Sequence, residues 1–141
     1  MGLLIRREDW PARLAEVADG ALARPYALGE WDCLRFCCTA IFAMTDVDLW
    51  PRFAGYKTKR QALATIARIA PSLGEAVGKV LDVHSNSPLA AMRGDVVLYR
   101  DGFGEDHLGL CLGGTVGVLA PGGLLKLPIT DAGLICAWRI G

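Results

Sequence analysis

Near Gly94 the spacing of apolar residues changes from helical to extended, and that one change restricts the chain to a few architectures. Before it, apolar residues recur every three or four positions, as in Trp10, Leu14, Val17, Ala18 and Ala21. After it the period is two, over residues 96–99, 107–112, 115–119, 124–127 and 134–140, with Asp101-Gly102, Gly113-Gly114 and Gly122-Gly123 as turns. Helices first and a meander of strands second predict an α+β fold, with an antiparallel sheet packed on a buried helix. No linker or repeat divides residues 1–141, so a single domain is expected.

The spacing predicts a first helix over 9–22, capped by Asp9 and carrying Pro11 in its first turn. A second, over 32–44, is apolar nearly all round (Leu34, Phe36, Cys37, Ala40, Ile41, Phe42), as a buried central helix must be. Thr58 and Gln61 form a capping box for a third, running to residue 69 with Ala62, Leu63, Ile66 and Ile69 inward. Ser72 and Glu75 start a short fourth, weakened by Gly74 and Gly78.

Fifteen acidic residues balance fifteen basic ones, so no net field draws the chain to nucleic acid or to an anionic membrane. Residues 108–125 carry no charge, yet Pro121 and several glycines make them poor as a membrane-spanning helix and good as short strands. The mean hydropathy of +0.32 is high for a chain of this size and predicts an apolar patch covered by a partner or a second copy. Arg6 and Arg7 interrupt the apolar start, which does not read as a secretory signal. With an odd five cysteines, the expectation is reduced thiols in a chain made in a cytoplasm.

Cys33 falls at the start of the apolar second helix, where unpaired amides and the positive helix end favour a thiolate. The competing reading is a small apolar residue, as for Cys37, Cys38 and Cys136, and a negative Asp32 beside it opposes ionisation. His107 opens a strand on which His107, Gly109 and Cys111 share one face and Leu108, Leu110 and Leu112 the other. Small residues on the histidine's face would let a helix approach there, bringing a base to the thiol of a Cys–His nucleophilic centre. His84, among Ser85, Asn86 and Ser87, reads as a surface-loop histidine. Cys33, Cys37, His107 and Cys111 could also form a Cys₃His zinc site, but no Cys-x-x-Cys knuckle supports it, and neither metal nor cofactor is expected. The Gly-Gly pairs lack the lysine and helix of a phosphate loop.

Pro25-Tyr26, Gly29, an aromatic and Asp32-Cys33 opening an apolar helix resemble the nucleophile region of NlpC-type cell-wall peptidases, which are papain-like cysteine peptidases. Gly94-Asp95-Val96-Val97 is similar to their Gly-Asp strand start, and residues 107–113 to their His-x-Gly-φ-φ-φ-Gly strand, φ being apolar. Ala137-Trp138-Arg139 resembles a phage-encoded subgroup associated with tail assembly. The resemblance runs from Pro25 to Arg139 around an insert at about 46–91. It implies an NlpC-type fold and a thiol protease, an endopeptidase or amidase cutting peptidoglycan stem peptides, with Cys33 as nucleophile, His107 as general base and Tyr26 helping to hold the oxyanion. It also implies incorporation in a virion or phage-like tail, with tail proteins as partners. Leu34-Arg35 stand where that family has Ser-Gly, and Leu119 where its histidine-orienting polar residue falls. These departures carry a second expectation, a catalytically weak or inactive structural component of a tail assembly.

Overall fold

The computed structural model describes residues 4–130 and 133–141. Four α-helices come first: α1 (Trp10–Ala21), α2 (Cys33–Thr45), α3 (Lys59–Ile69) and α4 (Leu73–Leu81). Five strands follow: β1 (Val96–Arg100), β2 (Asp106–Cys111), β3 (Thr115–Ala120), β4 (Gly123–Pro128) and β5 (Leu134–Trp138). All their pairings are antiparallel, in the order β4-β3-β2-β1-β5, so the meander closes when the last strand crosses back to pair with β1. The chain is therefore α+β, as its periodicity requires.

Three helix starts follow from side-chain caps: Asp32 accepts from the Arg35 amide, Thr58 from Gln61 and Ser72 from Glu75. Gln61 reaches back to the Lys57 amide, completing the capping box one residue upstream of Thr58. Asp9 differs from expectation. It makes no side-chain cap, because its carboxylate is taken by Arg7 and Arg13. On α2, Phe42 is half-exposed while Phe36, Ala40 and Met44 are fully buried; on α3, Leu63 faces solvent and Thr65 is the buried residue. α4 forms despite its glycines because they are what allow it to dock: a Cβ on Gly74 would lie 3.1 Å from Leu98, and one on Gly78 3.4 Å from the Trp138 indole. Close packing there offsets the weak helix propensity.

Strand alternation divides the core in two. Val96, Leu98, Leu108, Leu110 and Trp138 face the helices, burying Leu14, Phe36, Ile41, Met44 and Val80 in the main core. Val97, Cys111, Val116, Val118 and Ala137 form a smaller cluster on the other face, with Tyr99 packed against it. Among the described residues no helix is long and apolar enough to cross a membrane, and the uncharged 108–125 stretch lies in β2, β3 and β4 with their turns.

Ahead of β1, Asp95 is buried and accepts from the Met92 and Ile140 amides at 3.0 and 3.1 Å and from Arg6 Nη2 at 3.0 Å. Gly94, at φ +93°, lies flat under the Arg6 guanidinium, which a Cβ would approach to 2.9 Å. One carboxylate thus joins the first described residues, the start of the sheet and the last strand's exit.

Candidate functional site

β2 and β3 pair only at Leu110–Gly117 and Cys111–Val116, so the first half of β2 leaves its β3-facing edge without a strand partner. The Leu112 amide bonds to Thr115 on that side, and alternation points the Leu108 amide the same way. The start of α2 fills the gap. The Leu108 amide meets the Cys33 thiol, and Cys37 Sγ lies 3.6 Å from the Gly109 carbonyl oxygen. A helix start seated on an open strand edge puts a nucleophile candidate among backbone donors.

Cys33 is the first residue of α2 and keeps partial solvent exposure. Burial of its sulfur pushes the thiol up to about 11, against the lowering effect of the Leu108, Leu34 and Cys33 amides; Asp32 raises it further. The helix-end effect expected from sequence is present but loses to desolvation, so the resting group is a thiol. Tyr26 reaches this point from the loop before α2, its amide bonded to the Pro121 carbonyl in the β3–β4 turn. Its half-exposed phenol is raised by burial and then by Cys33 and Asp32, which places it in the field of the thiol.

His107 is the second residue of β2. Its Nε2 donates to Asp101 Oδ2 at 2.8 Å, and its ring stacks on Tyr99 with centroids 5.3 Å apart. Asp101 is held in turn by the Phe103 and Glu105 amides, at 2.8 and 3.0 Å. Its carboxyl is lowered first by His107 and then by those amides. Carboxylate on one ring nitrogen fixes the tautomer and leaves Nδ1 to accept a proton. The polar partner that Leu119 does not supply therefore comes from the loop before β2 instead of the strand after it. Asp106 turns away and pairs with Arg100 at 2.8 Å. In the sequence Asp101 reads only as a turn residue beside Gly102. Its signal was the hairpin register: Tyr99 pairs with His107, and Asp101, two residues on, shares that face and lies diagonal to the ring.

One expectation is corrected. α2 does not approach over the histidine's face: Gly109 points toward Val116 and Val118 of the smaller cluster, and α2 packs on the Leu108–Leu110 face and at the strand edge. Cys33 packs against the main core and meets β2 at the Leu108 amide, whereas His107, one residue earlier, points to the strand's other face, and no hydrogen bond joins the two among the described residues. Tyr99 links the two sides. It stacks on His107, and its phenol is raised by burial and then by Cys33.

The zinc set does not assemble, since Cys37 and Cys111 belong to different cores. Among the described residues the ligand types that do converge are Asp101, Glu105 and His107, whose ligand atoms lie within 4.8 Å of one another; Lys59 already pairs with Glu105 at 2.6 Å. A cleft of about 450 Å³ lies elsewhere, between α4 and β5, with His84, Ser85 and Cys136 on its wall. It shares no residue with the Cys33–His107 site.

The chain belongs to the DUF6950 family, described as a domain of unknown function, whose model matches residues 5–140. No curated protein matches it.

Proposed function

We propose that the domain is a cysteine hydrolase of the NlpC type, cleaving amide bonds of peptidoglycan stem peptides through Cys33 and His107. The observation that carries this reading is the Asp101–His107 hydrogen bond one residue before the amide that meets the Cys33 thiol. A thiol at a helix start and a carboxylate-held imidazole are the parts that a Cys–His–carboxylate centre of nucleophilic catalysis requires.

In this mechanism the Cys33 proton passes to His107 Nδ1, directly or through one water, and the thiolate sulfur attacks the scissile carbonyl carbon. Tyr26 and the Cys33 amide stabilise the oxyanion. The C–N bond breaks, the leaving amine takes the proton from His107, and an acyl thioester remains. Water then gives a proton to His107 and its oxygen to the acyl carbon, the C–S bond breaks, and the proton returns to sulfur. Because the resting thiol is raised to about 11, the first transfer is costly and a slow enzyme is expected.

The test is cleavage of purified muropeptides by wild type, Cys33→Ala and His107→Ala. Cleavage lost in both variants supports the reading; equal cleavage by Cys33→Ala defeats it. The raised thiol also favours the second reading, a structural component of a phage-like tail, which takes over if wild type fails to cleave even in an assembled tail.

A further inference from the structure

Asp32 is buried and accepts three hydrogen bonds. Two come from its own turn, the Gly29 and Arg35 amides, both at 2.9 Å. The third comes from the phenol of Tyr56, a buried residue between the 3₁₀ turn at Trp50–Arg52 and α3. We infer that Tyr56 is a positioning residue for Cys33, holding the Asp32 carboxylate against the first turn of α2 and drawing part of its charge away from the thiol. The inference rests on the Cys33-centred reading above.

The fit is specific. Gly29, at φ +79°, lies so close to the loop that a Cβ there would stand 2.2 Å from the Tyr56 carbonyl oxygen. Trp50 packs edge-on to Tyr56 with centroids 6.0 Å apart, and the Arg35 guanidinium lies 5.0 Å from the Trp50 ring centre. The loop thus grips the cap residue, the turn before it and the residue whose amide it binds. A phenol donating to a carboxylate makes a strong bond and disperses the anion's charge. The same contact raises the Tyr56 phenol, after burial as the larger cause. The other titratable or charged groups around the thiol are Cys37, Cys38 and Arg35 on its own helix, Tyr26 before it and Tyr99 on β1, with His107 and Asp101 beyond Tyr99. Asp32 is the anion adjacent to Cys33, so whatever disperses its charge eases ionisation of the thiol, on top of the larger effect of burial.

The experiment measures iodoacetamide alkylation at Cys33, resolved by mass spectrometry, as a function of pH in wild type, Tyr56→Phe, Asp32→Asn and the double variant. Tyr56→Phe leaves the carboxylate charge bearing more fully on the thiol, so alkylation at fixed pH slows by about threefold to tenfold and the profile moves upward. Asp32→Asn keeps a competent cap and moves the profile downward. In the double variant Tyr56→Phe adds no further shift. A merely structural role predicts the opposite sign, since a loosened helix start exposes the thiol and speeds labelling. A Tyr56→Phe profile that is unchanged or moves downward overturns the inference. Muropeptide cleavage, run in parallel, fails separately: an inactive wild type sinks the hydrolase reading while the alkylation comparison still decides the role of Tyr56.

Discussion

Asp101 Oδ2 lies 2.8 Å from His107 Nε2, and the two residues come from opposite ends of the same hairpin loop. The carboxylate is preset by two amides of that loop, so it meets the imidazole with no strand of its own. The orienting group arrives from before the histidine, and loop geometry fixes its distance.

Replacing Asp101 tests that link. Its carboxyl is lowered in the fold, so its contribution to stability is present above the ordinary carboxylate range and is lost as pH falls through the lowered value. Asp101→Asn should remove this acid dependence, read as a smaller drop in urea midpoint between neutral pH and about pH 3. Under the hydrolase reading it should also slow muropeptide cleavage by at least about tenfold, through loss of the tautomer control. An unaltered cleavage rate would remove Asp101 from the mechanism.

Thiol labelling should be slow and ordered. Cys33 and Cys136 retain exposure, whereas Cys37, Cys38 and Cys111 are buried. Both of these partly exposed residues have raised thiols, Cys33 to about 11, chiefly because the sulfur itself is buried. Mapped iodoacetamide labelling should therefore reach these two first, and the Cys33 rate should keep climbing with pH up to about 11. A Cys33 rate that levels off near neutral pH would show a stabilised thiolate and contradict the burial argument.

Gly109 should tolerate no side chain. A Cβ there would stand 2.9 Å from the Gly117 carbonyl oxygen and 3.1 Å from Val116, while at Gly102 nothing lies within 4 Å. Gly109→Ala should cost about 1–3 kcal/mol in urea unfolding, and Gly102→Ala well under that. Equal midpoints for the two variants would mean that β3 yields freely.

Asp95→Ala should be the most damaging of these changes. It leaves the Ile140 and Met92 amides without their acceptor and Arg6 without its carboxylate, at a cost of about 3 kcal/mol. Asp95→Asn, which keeps the acceptor oxygen, should recover part of that loss in the same unfolding experiment.

What could be read from the chain was local. Period and turn residues place the five strands, and the Asp32, Thr58 and Ser72 caps place three helix starts, because each depends on neighbours within four residues. The Asp9 cap is absent where Arg7 and Arg13 compete for the same oxygens, and Leu63 faces solvent because the packed face of α3 runs through Ala62, Thr65, Ile66 and Ile69. At the site, Cys33 and His107 stand out by type and position. Asp101 and Tyr56 do not, since an Asp before a glycine already has a turn to explain it, and a tyrosine in an insert shows nothing of the carboxylate it meets 24 residues upstream.

The pairing of β1 with β5 has a kinetic side. β1, β2, β3 and β4 can zip together as successive hairpins in a folding chain, but one edge of β1 stays open until Leu134–Trp138 docks against it. During that interval Val96, Val97 and Leu98 present an open apolar edge, a template to which another unfolded chain can add. A chain cut short before residue 134 would thus keep most of its local structure and leave its most adhesive edge uncovered.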